Sequence, residues 1–264
     1  MMRKQRKKGG ENMIDQRTRA QRMFLTDVLR KQVDFSTTDQ QRGVPPPPLQ
    51  KPADPQAPRI QLAGGEEWES VVNPIDLHQA IARRKSRRRY SDANLGVAEL
   101  SFLLWATQGI HRVVGPGTAL RTVPSAGARH SFETYLAIQR VTGVTAGLYR
   151  FLPLENQLVQ LHEVDHLGAT LAKATYGQSF VGSAAVTFIW ACIPYRSEWR
   201  YGLTAHRVIL LDAGHLCQNL YLACEAIEAG TCAIAAYDQQ AMDELVRLDG
   251  EDEFVVYLAP VGKR

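Results

Sequence analysis

The chain has 264 residues, 45% of them apolar, and a formal net charge of +4, enough for one large globular domain or two small ones with a buried core. The charge is uneven: residues 1–31 hold ten Lys/Arg against three Asp/Glu, so a basic tail of +7 precedes a body of −3. That balance argues against a dedicated nucleic-acid binder. The basic run Arg3–Lys8 leads into no apolar stretch and is not a secretory signal, and the longest apolar run, "AAVTFIWACI", falls far short of the ~20 residues that cross a bilayer.

In chain order, the basic start is expected to be a flexible solvated tail, and "RMFLTDVLRKQV" a short helix. "VPPPPLQKPADPQAP" contains seven prolines. Such a run is extended and cannot enter a core, so it is expected as a strap along the chain's own surface or a partner's. A ligand for a proline-reading domain is the alternative. This divides the chain into a flexible or helical basic extension (1–44), a Pro-rich strap (45–60) and a body (61–264). "NPIDLHQAIARRKS" predicts a helix starting at Asn73–Pro74 and burying Ile75, Leu77 and Ile81. "GVAELSFLLWATQGI" predicts a second, stopped by Gly109. "ETYLAIQRV" reads as a strand, and "GLYRFLPLENQLVQL" as two strands around a turn with Pro153 and Asn156. "GATLAKATYG" reads as a short helix and "AAVTFIWACIP" as a strand buried on both faces. "LDAGHLCQNLYLACEAIEAG" carries Leu216, Leu220, Ala223 and Ile227 at helical spacing, closed by Gly230. "QQAMDELVRL" and "EFVVYLAPVGKR" predict a last helix and a terminal strand. Helices and strands mix without strict alternation, which predicts an α+β fold.

Most chemical motifs fail on context. "HEVDH" (His162–His166) matches a zinc-protease pattern, but that chemistry needs both histidines on one helical face. Here an alternating strand leads in, and Asp165 is expected to cap the following helix, so no metal site is assigned. No dinucleotide fingerprint, phosphate loop or serine-hydrolase elbow occurs, and "GPGTA" follows no convincing strand and reads as a flexible loop. The four cysteines, Cys192, Cys217, Cys224 and Cys232, match no zinc spacing and are expected as buried free thiols of a cytoplasmic protein.

"RRKSRRRY" (Arg83–Tyr90) is different. It lies where a helix runs into a turn. A solvated basic helix end is one reading, because cations complement the helix C-terminus. A phosphate grip is the other: six crowded cations repel unless an anion sits among them, and a serine among guanidiniums supplies a hydroxyl donor.

Together with "RTVPSAGARHSFETYLAIQRV", "GLYRFLP", "SEWRYGLTAHRVILLDAGHLCQNLYLACEAIEAGTCAIAAYD" and "VVYLAPVGK", this stretch resembles the nitroreductase-like flavoprotein superfamily, and within it the SagB/ThcOx-type branch that oxidises azolines to azoles in ribosomal peptides. The likeness runs from about Pro45 to the C-terminus. It implies a central, mostly antiparallel sheet flanked by helices, an intertwined homodimer with sites at the subunit interface, and FMN. Arg84 and Ser86 would hold the phosphate, with Lys85 beside them, and Arg88 would approach the pyrimidine edge. Pro124, Ser125, Ala126, Gly127 and Arg129 resemble the segment that reaches the flavin from the opposite subunit, Gly127 allowing close approach to a flat ring. Ala235 and Ala236 would offer N–H groups over the reactive nitrogen, and Lys263 would sit near the phosphate.

The resemblance implies an FMN-dependent oxidoreductase acting on a small-molecule or peptide substrate, with NAD(P)H as a possible reductant and neither nucleic acid nor membrane as a partner. Azoline-oxidising members carry a Lys-Tyr pair that handles protons. This chain has Arg200-Tyr201 there. Arginine is not deprotonated in proteins, so Tyr201 is the catalytic candidate and azole formation becomes one alternative. A non-catalytic flavin-binding module is another. His215 and Asn219, one turn apart, either face the flavin or bond within the core.

Overall fold

The structure is a computed structural model and describes residues 14–264; the basic run Arg3–Lys8 lies outside them. Among the described residues nine strands occur: β1 (Arg59–Gln61), β2 (Ile110–Gly115), β3 (Thr118–Arg121), β4 (Phe132–Ile138), β5 (Gly147–Leu152), β6 (Gln157–His162), β7 (Val186–Cys192), β8 (Ala229–Thr231) and β9 (Phe254–Lys263). Seven form one sheet, in the order β1-β6-β5-β4-β7-β9-β8, with every neighbouring pair antiparallel. β2 and β3 make a separate hairpin. The helices are α1 (Gln16–Arg22), α2 (Gly65–Trp68), α3 (Leu77–Arg83), α4 (Val97–Gln108), α5 (Leu167–Ala174), α6 (Ser179–Gly182), α7 (Tyr195–Tyr201), α8 (Ala205–Ala226) and α9 (Gln239–Leu245). The fold is α+β.

Strand alternation explains the layering. β7 sends Val186, Phe188, Trp190 and Cys192 into a core shared with Leu100, Leu103 and Leu104 of α4 and Leu216 and Leu220 of α8. Its other face sends Ile189 and Ala191 into a second core with Leu167 and Leu171 of α5 and Met242 and Leu245 of α9. A strand covered on both faces must be apolar throughout, and all seven residues of β7 are buried. Each fully buried Leu, Phe or Trp contributes roughly 1.5–3 kcal/mol.

The proline-rich segment is fastened by buried charge. Its prolines have no N–H to donate, so the carbonyls are what it offers. The buried Arg121 donates to Leu49 O (2.9 Å), and Arg150 donates to Pro52 O (2.7 Å). Lys51 N–H donates to Glu133 Oε1 (2.8 Å), Lys51 Nζ pairs with Glu253, and Trp199 Nε1 donates to Val44 O (2.9 Å). Glu133 also receives Arg196 and faces Arg150, all three being 3% exposed.

Several local expectations change. "RMFLTDVLRKQV" is the end of α1 followed by short 3-10 turns at Met23–Leu25 and Val28–Gln32. α3 begins at Asp76, whose carboxylate accepts from Gln79 N–H, and buries Ala80 while Leu77 and Ile81 stay exposed. "GPGTA" is the turn of the β2–β3 hairpin. His166 rather than Asp165 holds the N-cap position of α5, at φ +53° and without a side-chain capping bond, and His162 lies back in β6, so the two histidines share no helical face. α8 ends at Ala226, and Gly230 lies in β8, where Arg87 packs too closely to admit a Cβ.

Candidate functional site

The Arg83–Tyr90 stretch leaves α3 and runs along β8, with Arg87 N–H donating to Thr231 O (2.9 Å) and Tyr90 Oη donating to Arg87 O and Pro260 O. Its cations divide into two sets. Arg87 turns inward and pairs with Glu225 (3.3 Å), which also takes Arg264 (3.1 Å). Arg83, Arg84, Lys85, Arg88 and Arg89 have no carboxylate partner among the described residues. Arg84 lies over the ring of Tyr221 (5.3 Å) and Arg88 over that of Phe180 (5.8 Å). Ser86 is exposed, and its Oγ is 2.9 Å from Tyr221 Oη. Unpaired guanidiniums and a hydroxyl on one exposed turn are what a phosphate needs.

The 231–238 loop lies against this turn. Ala233 N–H donates to Tyr221 Oη (2.8 Å), and Gln178, just before α6, donates to Ala236 O (3.0 Å). Ala235 and Ala236 are exposed. Lys263 is spent elsewhere: its ammonium donates to Glu99 Oε1 and Ile227 O, each at 2.6 Å. The structure therefore gathers Arg84, Lys85, Ser86, Arg88, Ala235 and Ala236, and turns the Lys263 charge inward.

The Pro124–Arg129 loop forms a second group. Asp212 of α8 anchors it, accepting from Ser125 Oγ (2.6 Å) and Ala126 N–H (3.2 Å). Burial raises the Asp212 carboxyl, and the bonds from Ser125 and Ala126 oppose that. Ser125 Oγ accepts from His130 N–H (2.9 Å). Gly127, Ala128 and His130 all have positive φ (58°, 54° and 46°), a strained run of the kind that clusters at functional sites. A Cβ on Gly127 would lie 2.5 Å from Tyr201 Oη and 2.8 Å from Arg200 Nε. Within the chain, then, the space beside Gly127 belongs to Arg200 and Tyr201 rather than to a flat ring. Arg129 is buried, donates to Gly117 O and Thr118 Oγ1, and stacks on Trp199 (5.1 Å). Burial and the Arg200 charge hold it below the usual arginine range.

The two groups do not meet in one chain. Asp212 and Tyr221 are nine residues apart on α8, about 13 Å along the axis and half a turn around it. Asn219 donates to Ala106 O (2.8 Å) and so bonds within the core, while His215 is exposed 3.9 Å from Asp212. Asp212, Tyr221, Glu225 and Phe180 are the residues the sequence reading missed. Tyr221 and Glu225, at i and i+4 on an otherwise apolar helix face, were the available signal.

Residues 81–263 match the nitroreductase family model. The chain belongs to the nitroreductase family. It is 30% identical over 193 residues to protein MJ1384 of Methanocaldococcus jannaschii, assigned as a nitroreductase, covering 73% of this chain and 93% of that one. The trifolitoxin-processing protein TfxB of Rhizobium leguminosarum bv. trifolii is 25% identical over 133 residues, 49% of this chain and 36% of TfxB. Among solved structures, a Ralstonia eutropha JMP134 protein assigned as a nitroreductase superposes with a TM-score of 0.65 at 25% identity, covering 83% of this chain and 93% of its own. The Escherichia coli microcin synthetase McbBCD complex with truncated pro-MccB17 shares the fold, with a TM-score of 0.57 at 20% identity over 73% of this chain and 74% of that one. Members of this family are oxidoreductases.

Proposed function

We propose that the protein is an FMN-dependent oxidoreductase whose site is built from two chains. The cations carry the reading: Arg87 and Lys263 are neutralised internally, while Arg84, Lys85 and Arg88, like Arg83 and Arg89 beside them, stand unpaired on the turn that holds Ser86. Arg84, Lys85 and Ser86 would hold the phosphate, and Arg88 and the exposed 235–236 backbone would face the ring. FMN would supply hydride acceptance and return there. Arg88 beside the ring would favour negative charge, and the open N–H groups of Ala235 and Ala236 would orient it.

The other half would come from the second copy. Ser125–Arg129 and Tyr201 sit on the far side of α8 from Tyr221, so one chain cannot close around a single ligand. The outer row of α8 supports this reading. Leu210 and Leu211 are exposed, and Gly214 has nothing within 4 Å of an added Cβ, although a mid-helix glycine costs about 1 kcal/mol relative to alanine. A neighbouring helix of a second copy would use that space. Tyr201 Oη would be the proton donor for the substrate, because Arg200 keeps its proton.

The test is anaerobic mixing of the FMN-loaded chain with NADH and NADPH. Loss of the oxidised flavin band with either is the expected result, and no loss with either rejects a nicotinamide-driven reductase. A second reading, dehydrogenation of a peptide substrate in the manner of azoline oxidation, draws on the similarity to TfxB. It expects flavin reduction by an azoline-containing peptide instead, and Arg200 in the place of lysine stands against it.

A further inference from the structure

Tyr221 lies beside the Arg84–Ser86 turn, touching both Ser86 and Arg84. Its Oη is 2.8 Å from Ala233 N and 2.9 Å from Ser86 Oγ. A backbone N–H can only donate, so Tyr221 Oη accepts from Ala233. One lone pair is thereby used, and the phenolic proton is left for the remaining neighbour, Ser86 Oγ. A serine that accepts from Tyr221 has its own proton free, and Ser86 is an exposed residue. The three groups form a directed chain, Ala233 N–H to Tyr221 O–H to Ser86 O–H, ending in a hydroxyl proton with no partner among the described residues. Hydrogen bonds in such chains polarise one another, which strengthens the last donor. The ring of Tyr221 meanwhile lies under the Arg84 guanidinium, so a second anion-binding group rests on the same side chain.

We infer that Tyr221 is a positioning residue for a phosphate monoester: through the proton it gives Ser86, it converts that serine from a hydroxyl of either polarity into a fixed donor to the ligand anion. This rests on the FMN reading above and adds to it the residue that orients the phosphate contact.

The experiment is a fluorescence titration of the full chain with FMN and with riboflavin, which is the same ring system without the phosphate. Wild type, Tyr221→Phe, Ser86→Ala and the double variant are compared. Tyr221→Phe keeps the ring and the Arg84 stack and loses only the hydroxyl. Its Kd for FMN should rise about tenfold. Ser86→Ala should rise by a similar factor, and the double variant should be no weaker than Ser86→Ala, because Tyr221 acts through Ser86. Riboflavin binding should be unchanged in all three. The inference is overturned if Tyr221→Phe leaves FMN affinity within about twofold of wild type, if the two losses multiply, or if riboflavin weakens as much as FMN, the mark of a merely structural residue. Should Tyr221→Phe fail to fold, Ser86→Ala decides alone: unchanged FMN affinity rejects the chain of donors. A wild type that binds neither flavin rejects the cofactor reading itself, whereas a wild type that binds FMN with unaffected variants rejects only the role of Tyr221.

Discussion

His130 and Gly127 show how single residues hold the Pro124–Arg129 loop in place. His130 is buried, its Nε2 lies 3.1 Å from Ala119 O, and burial together with the charges of Arg121, Arg129 and Arg196 pushes it down to about 3 from 6.5. Its folded value is depressed, so the unfolded chain takes up a proton first as the pH falls. The stability that neutral His130 confers is complete above about 6.5 and is lost as the pH falls toward about 3. The melting temperature should therefore drop across that window, and His130→Gln, which can still donate to Ala119 O but does not titrate, should flatten the slope. Gly127 adopts φ +58° with Tyr201 Oη 2.5 Å from the position a Cβ would take. Gly127→Ala should cost about 1–3 kcal/mol in urea unfolding. Adding Tyr201→Phe should recover part of that loss by removing the oxygen the methyl meets.

At the level of elements, one carboxylate ties together several of the strap's anchors. Glu133 on β4 receives Lys51 N–H and Arg196 and faces Arg150, with side-chain exposure of 3% for all three charged groups. Glu133→Gln would leave two buried guanidiniums without a counter-charge, which should cost about 3–5 kcal/mol. The check is the urea midpoint, together with faster proteolysis within residues 44–58. Most strands and the long helices were legible, "AAVTFIWACIP" as a continuous apolar run and "LDAGHLCQNLYLACEA" by its helical spacing. The β2–β3 hairpin was not, because Val113, Val114 and Leu120 are exposed, and a strand with an apolar outer face lacks the alternation that marks a half-buried one. The face of α3 was misjudged for the same reason. The strap's anchors were illegible too, since carbonyl acceptors leave no trace in side-chain pattern.

For the whole molecule, the α+β class followed from the mix of elements, the antiparallel sheet flanked by helices from the family resemblance, and the cations of Arg84–Arg88 pointed to an anion. The inward turn of Lys263 did not follow: its partner Glu99 is 164 residues away, and only the fold brings β9 to the start of α4. The separation of Asp212 from Tyr221 likewise emerges only when α8 is laid out as one helix. If the two halves join across copies, the full chain should sediment as a dimer. Leu211→Asp, on the exposed row of α8, should shift it to monomer and abolish flavin binding together. Retained flavin binding by such a monomer would remove the second chain from the site.

The most direct measurement is the absorbance spectrum of the purified full chain before and after titration with FMN, repeated for Arg84→Ala. Bound FMN should give flavin bands that follow the protein, with one FMN per chain, and Arg84→Ala should weaken binding at least tenfold, as loss of a charge-assisted phosphate contact requires. A colourless chain that takes up no FMN, or an Arg84→Ala variant that binds it as wild type does, would contradict the assignment of this turn as the cofactor grip.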